Sequence, residues 1–330
     1  MPDEGAPHER TWLAFGASEK IWGQRLVQEV RRNLAKIARK ISAFEPVTML
    51  VRKEEYGLAR QMVGKQIELV VAPLDDIWIR DTGPTFVIDG QGRKAAVDFN
   101  FNGWGRKQEH RQDAKVARLV GELAKVQVLR TDLVLEGGSL EVDGVGTAII
   151  AESCVLNRNR NPGFSKAECE RELRALLGLK KIIWIPGIRG QDITDGHTDF
   201  YARFAGWRTV MAGFEPDRRE PDHAITKRHL EILKSAKDAE GNGLKVVTLS
   251  GPSRVRSDYD SEDFAAGYIG YYVCNGGVIC QKFGDPVADR RAREKLAAAF
   301  PDRKIVQIAI DGIAAGGGSI HCATQQEPKA

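Results

Sequence analysis

Apolar side chains recur every three or four positions along residues 21–41, at Trp22, Leu26, Val30, Leu34, Ile37 and Ile41. That spacing predicts a helix with one buried face. Arg31, Arg32, Lys36, Arg39 and Lys40 fall among these positions and read as its solvated face. A second helix is predicted to start at Ser165, which forms a capping box with Glu168. It buries Leu173, Leu176 and Leu177 and ends near Gly178. Similar patterns predict helices over 112–125, 223–236 and 287–300. Hairpins are predicted where 85–89 and 94–99 flank Gly90-Gln91-Gly92, and where 139–142 and 147–151 flank Asp143-Gly144. The fold class is α/β, with antiparallel strand pairs alternating with helices.

One event repeats along the chain: a glycine-containing turn, usually beside an acid, histidine or cysteine, running into a β-like segment. It occurs at Arg80-Asp81-Thr82-Gly83-Pro84, Leu135-Glu136-Gly137-Gly138, Asp195-Gly196-His197-Thr198-Asp199, Asn275-Gly276-Gly277, and Gly316 through Cys322. The spacing averages about 60 residues, the length of one supersecondary unit. Five such units account for nearly the whole chain. No linker or low-complexity stretch interrupts it, so residues 1–330 read as a single domain of repeated modules.

Composition narrows the partners. The 330 residues carry 49 basic and 45 acidic side chains, a formal charge of +4, and the two signs are interspersed. Neither nucleic acid nor an anionic membrane surface is expected to bind such a chain. The N-terminus lacks a signal-peptide pattern, and no apolar run approaches the roughly 18 residues that span a bilayer. The five cysteines, Cys154, Cys169, Cys274, Cys280 and Cys322, are scattered and form no structural zinc pattern. Free thiols in a cytoplasmic protein are expected, with no cofactor and no metal.

If equivalent turns of five modules converge on an axis, Asp81, Glu136, His197, Asp199 and Cys322 share one pocket. Cys322 follows the glycine run Gly316 to Gly318, which can display it on a tight turn. A free thiol is only a few per cent ionised at neutral pH and needs a partner such as His197. Neighbouring carboxylates disfavour the thiolate. A cationic substrate resolves that conflict: a planar guanidinium has five N–H donors, and paired carboxylates accept them. Attack of Cys322 on the guanidinium carbon, with His197 as general acid and then base, gives ammonia and a ureido product without metal.

At this point the chain resembles the agmatine and bacterial peptidylarginine deiminase family of guanidino-group modifying enzymes. The resemblance rests on MPDEGAPHERTW at the start, DDIWIRDTGP from Asp75, FNGWG from Phe101 and LEGGSLEVDG from Leu135. It continues through LNRNRNP from Leu156, DGHTD from Asp195, NGGVICQKFGD from Asn275 and GGGSIHCATQQEP from Gly316. It implies the pentein fold, a five-module α/β propeller with pseudo-fivefold symmetry. Cys322 is then the nucleophile and His197 the general acid and base. Asp81 and Asp199 bind the guanidinium, and Glu136 orients His197 or shares that contact. Trp78 walls the aliphatic part of the substrate, and Gly317 is expected at the substrate. His321 is expected to be structural, because neighbours on an extended segment face opposite ways. A homodimer is implied as well.

The implied reaction is hydrolysis of agmatine to N-carbamoylputrescine and ammonia, a step of putrescine biosynthesis. Departures at Leu13-Ala14-Phe15-Gly16, Ile77 and Phe200-Tyr201-Ala202-Arg203 bear on the substrate's tail, and leave peptidylarginine or free arginine as alternatives. A substrate carboxylate would call for an arginine such as Arg203 or Arg160. Further alternatives are an amidinotransferase, a noncatalytic pentein, and a manganese ureohydrolase built on Asp195-x-His197-x-Asp199 with Asp258-x-Asp260.

Overall fold

The computed structural model describes residues 1–256, 258 and 263–330. Four of its five sheets are three-stranded and share one plan. They are β4 (Thr85–Ile88), β5 (Lys94–Asp98) and β6 (Gln127–Arg130); β7 (Leu140–Val142), β8 (Thr147–Ala151) and β9 (Lys181–Ile185); β10 (Ala202–Phe204), β11 (Thr209–Gly213) and β12 (Lys245–Leu249); and β13 (Tyr272–Cys274), β14 (Gly277–Gln281) and β15 (Lys304–Ile308). In each, the first strand pairs antiparallel with the second, and the second pairs parallel with the third.

Parallel neighbours need a crossover, and a helix supplies it in every module: Val116–Leu123, Lys166–Leu177, Asp222–Ser235 and Pro286–Ala299. The middle strand lies between two neighbours and under a helix. Thus β8, Thr-Ala-Ile-Ile-Ala, and β14, Gly-Val-Ile-Cys-Gln, are buried along their whole length.

The fifth sheet closes the molecule. Its order is β16 (Gln325–Pro328), β1 (His8–Phe15), β2 (Val47–Val51), β3 (Glu68–Val71). The last strand pairs antiparallel with the first, Trp12 opposite Gln325, while β1 and β2 run parallel around the helix α1 (Glu19–Ile41). The C-terminal strand therefore completes a module that the N-terminus begins, and the five-module α/β propeller implied by the resemblance is the architecture observed.

Helix α1 buries Val30, Leu34, Ile37 and Ile41 against this sheet. Each such side chain contributes about 1.5–3 kcal/mol by leaving water. The predicted capping box is present: Ser165 accepts from the Glu168 N–H, and the Glu168 side chain accepts from Ser165. Gly178 ends that helix in the left-handed region, where a Cβ is unfavourable.

Two expectations change. Asn275 and Gly276 form the hairpin turn between β13 and β14 and do not occupy the turn that enters a module. The equivalent segment is 267–271, where the Gly270 carbonyl accepts from the His321 N–H at 3.0 Å. This module thus gives the centre backbone groups where others give acids. The run 316–323 is also not extended: it is a chain of turns, closed by Ala323 N–H to Ile320 O and Thr324 N–H to His321 O.

Candidate active site

Asp81, Glu136, His197, Asp199 and Cys322 each lie just before the first strand of a module, and the modules bring them together. Asp81 occupies the helical turn Ile79–Thr82 before β4, Glu136 precedes β7, and His197 with Asp199 precedes β10. Cys322 precedes β16. The Cys322 Sγ is 3.7 Å from Asp199 Oδ2 and 3.2 Å from Ser319 Oγ. His197 has Nδ1 3.8 Å from Asp81 Oδ1 and Nε2 3.3 Å from Glu136 Oε2.

These groups gather around Gly138. A Cβ there would fall 2.5 Å from His197 Nδ1, 3.0 Å from Asp81 Oδ1 and 3.1 Å from Asp199 Oδ2. Any side chain at 138 would push the three apart. Its backbone N–H also donates to Asp81 Oδ1 at 3.0 Å, while Trp104 Nε1 donates to Oδ2 at 3.0 Å. The FNGWG segment therefore fixes the plane of the Asp81 carboxylate through Trp104, a residue that sequence reasoning passes over.

All five groups are buried, and their neighbours decide their charge. Burial alone would raise the Glu136 carboxyl, but the His197 bond and the Arg160 guanidinium bring it down to about 2. Burial likewise opposes the charged form of His197, yet Asp81 and Glu136 hold it well above the ordinary histidine value. Asp199 is held low against burial by the bond and charge of His321 and by His197. Asp81 is raised, first by burial and then by Asp199 and Glu136. The Cys322 thiol is pushed well up by burial, Asp199 and Asp81, which favours its protonated form. The Asp199 Oδ1 atom is buried with no hydrogen-bond partner.

Cys322, His197 and Asp81 open onto a cavity of about 140 Å³, which Trp78, Trp104, Trp22, Asp76, Gln108, Ile193, Thr194 and Phe200 also line. Gly317, with φ +80, lies in its wall beside Gly316 and Gly318. Helical spacing assigns Trp22 to the core face of α1. It is buried in that core, and because the helix is broken at Gly23, with φ +65 and ψ 165, it also lies in the cavity wall against Trp78, ring centroids 5.7 Å apart. The glycine run makes room for both rings. A Cβ on Gly316 would sit 2.2 Å from Trp22, and one on Gly318 would sit 2.1 Å from Trp78. Also in the wall, Asp76 accepts from Trp22 Nε1 at 2.7 Å and Gln108 Nε2 at 3.0 Å, and burial pushes its carboxyl up to about 6.

Glu136 stands behind His197 rather than in the cavity wall. Arg160 Nε donates to its Oε1 at 2.9 Å, and the Cys154 thiol donates to its Oε2 at 3.0 Å. His321, next to the nucleophile, does reach the site: Nδ1 lies 2.7 Å from Asp199 Oδ2.

Neither arginine considered for a substrate carboxylate lines the cavity. Arg160 is engaged by Glu136, Asp195 and the Thr194 carbonyl, and Arg203 by Glu4, Glu141 and the Tyr271 carbonyl. The manganese arrangement fares no better. Asp195 is bound by Arg160 and Lys107, and the donors that come within reach of one ion, among the described residues, are Glu136, Cys154 and His197. That thiol-containing set is unlike the oxygen-rich set manganese takes. Of the second cluster, Asp260 lies outside the described residues.

The arrangement joins a thiol, a protonated histidine and the Asp81 carboxylate in the wall of a cavity lined by aromatic rings, with the Asp199 carboxylate buried beside the thiol. Among the described residues no helix is long and apolar enough to cross a membrane.

A family model for Porphyromonas-type peptidyl-arginine deiminases matches residues 1–328. A Streptomyces coelicolor relative is 43% identical, covering 100% of this chain and 98% of its own. The structure of agmatine deiminase from Enterococcus faecalis superposes with a TM-score of 0.92 at 33% identity, covering 100% of this chain and 95% of that one. A cysteine-to-serine variant of C. jejuni agmatine deiminase with substrate bound gives a TM-score of 0.89 at 27% identity, covering 100% and 96%. The chain belongs to the Porphyromonas-type peptidyl-arginine deiminase family and is a hydrolase acting on C–N bonds of linear amidines.

Proposed function

We propose that this chain, acting as one domain over residues 1–330 in the cytoplasm, hydrolyses agmatine to N-carbamoylputrescine and ammonia through a covalent bond to Cys322. The observation that carries this reading is the pairing of the thiol with two carboxylates, one of which keeps a buried oxygen, Asp199 Oδ1, without a donor. A guanidinium supplies N–H donors to Asp199 and Asp81 at once, and each charge-assisted bond is worth roughly 1.5–3 kcal/mol. It also offsets the burial and the Asp199 and Asp81 charges that keep Cys322 protonated.

Once the cation is bound, the Cys322 thiol releases its proton to solvent, and the thiolate attacks the guanidinium carbon. An S–C bond forms as the C=N electrons move to nitrogen, and His197 protonates the amino group that leaves as ammonia. Water attacks the resulting amidino–sulfur adduct, giving a proton to His197. The C–S bond breaks, the thiol returns, and the ureido product leaves. Glu136 keeps the imidazole oriented and charged. Trp78, Trp22 and Gly317 wall the methylene chain.

Agmatine is favoured over arginine because the cavity offers Asp76 to a cationic tail and, among its described lining residues, no arginine or lysine to a carboxylate. The relatives named for agmatine deimination point the same way.

The test is to incubate chelator-treated protein with agmatine, free arginine or an arginine peptide and assay ureido product and ammonia, with Cys322→Ala alongside. Acid-quenched wild type should carry an amidino adduct on the Cys322 peptide. Urea in place of ammonia, or turnover in the variant, would overturn the mechanism. Product from arginine alone would overturn the substrate.

A further inference from the structure

We propose that Glu4, acting through His321, is a positioning residue that keeps Asp199 ionised and its carboxylate plane fixed for the substrate cation. The inference rests on the reading above, in which Asp199 binds the guanidinium. It gives a task to the N-terminal MPDEG segment, which the chemistry so far leaves unused.

Glu4 lies on no strand or helix and precedes β1, yet it is buried among three modules. Its Oε1 accepts from Arg203 Nη2 at 2.7 Å and the Val273 N–H at 2.8 Å. Its Oε2 accepts from Arg80 Nη2 at 2.9 Å and faces His321 Nε2 at 2.9 Å. The other ring nitrogen faces Asp199 Oδ2 at 2.7 Å. His321 thus has a carboxylate oxygen at each nitrogen. A neutral imidazole carries one N–H and would set a lone pair against one of the two anions; only the ring with both N–H groups satisfies both. The remaining charged or titratable neighbours are Arg80, Arg203 with Glu141 behind it, His197 and Asp81 on the other side of Asp199, and the Cys322 thiol.

Two consequences follow for Asp199. Its Oδ2 is taken by a charged donor, which fixes the carboxylate plane and leaves Oδ1 as the open acceptor. The same donor offsets the cost of burying the charge, and Asp199 is held low although fully enclosed. Loss of the Glu4 acceptor frees the His321 ring to take the other tautomer. Its Nδ1 lone pair then faces Asp199, which takes up a proton and ceases to attract a cation.

The experiment compares pH profiles of kcat and kcat/KM for agmatine in wild type, Glu4→Gln and His321→Asn, with thermal melting to confirm folding. Asparagine places an N–H near the Nδ1 position, so it still donates to Asp199 but carries no charge and does not reach Glu4. Both variants should raise KM and move the acid limb of kcat/KM upward by roughly one pH unit, while kcat on the alkaline plateau changes less. Looser packing alone would scale the profile without moving its limb. Superimposable limbs in a folded variant would overturn the proposal, and His321→Asn decides it if Glu4→Gln does not fold. A wild type without activity on agmatine would instead remove the functional reading on which the inference rests. Agmatine binding to Cys322→Ser, with and without Glu4→Gln, checks the same shift without turnover.

Discussion

Gly318 and Trp78 touch so closely that a Cβ at 318 would lie 2.1 Å from the indole Cζ3. The glycine ahead of the nucleophile therefore serves the shape of the cavity wall as well as the course of the backbone. Gly318→Ala must displace either the ring or the turn carrying Cys322. Overpacking of this kind costs about 1–3 kcal/mol. We expect KM for agmatine to rise about tenfold, as 1.4 kcal/mol would give, with changed tryptophan fluorescence. Unchanged KM and fluorescence would mean that the ring is not part of the substrate wall.

Asp81 accepts an N–H on each oxygen, from Gly138 and Trp104. An asparagine keeps one acceptor and turns an NH₂ group toward the other donor. Asp81→Asn should therefore lose the charge that holds the guanidinium and also strain the site. Losing one charge-assisted bond of roughly 1.5–3 kcal/mol corresponds to a rise in KM of about ten- to a hundredfold. Steady-state kinetics check this; a fall confined to kcat would place Asp81 outside substrate binding.

Glu136 and His197 make stability depend on pH in opposite directions. The Glu136 carboxyl is depressed from 4.5 to about 2, so its contribution is present above pH 4.5 and disappears as pH falls toward 2. That contribution is on the order of 3 kcal/mol. His197 is raised, so its contribution is full below pH 6.5 and is lost as pH climbs through its folded value. Melting temperatures should drop between pH 4.5 and 2, and Glu136→Gln should flatten that drop while lowering stability at neutrality, where Arg160 loses a partner. A variant whose acid slope equals that of wild type would show that other carboxyls govern it.

The parts of this structure that are legible in the sequence are those set by local chemistry. Ser165 and Glu168 cap a helix within one turn of chain, and the apolar spacing of α1 follows from its own period. Cys322 and His197 stand out because reactive residues recur beside glycine turns. Asn275-Gly276 misleads for the same reason: a hairpin turn and a module-entry turn both use glycine, and only the pairing of Val273 with Val278 separates them. Trp22 shows the limit of periodicity, since a face directed inward meets core packing or a cavity with the same spacing. His321 and Glu4 depend on residues more than 100 positions away, and no local pattern announces them.

Asp76 supplies a test of the substrate's tail. Burial raises its carboxyl to about 6 although Trp22 and Gln108 both donate to it. The sign follows from the raised value: the neutral form is favoured on folding, and that contribution is present below pH 3.8 and lost as pH rises through about 6. Above this point the cavity wall carries at Asp76 a negative charge that an ammonium at the end of agmatine can meet. KM for agmatine should then fall as pH passes through about 6, and Asp76→Asn should remove that inflection. Butylguanidine, with the same reactive end and no amine, controls for titration of Asp81 and Asp199, which act on the guanidinium of both compounds. Its KM should lack the Asp76-dependent step. If the two compounds titrate alike in wild type and in Asp76→Asn, the tail does not meet Asp76, and selection for agmatine must come from the exclusion of carboxylates alone.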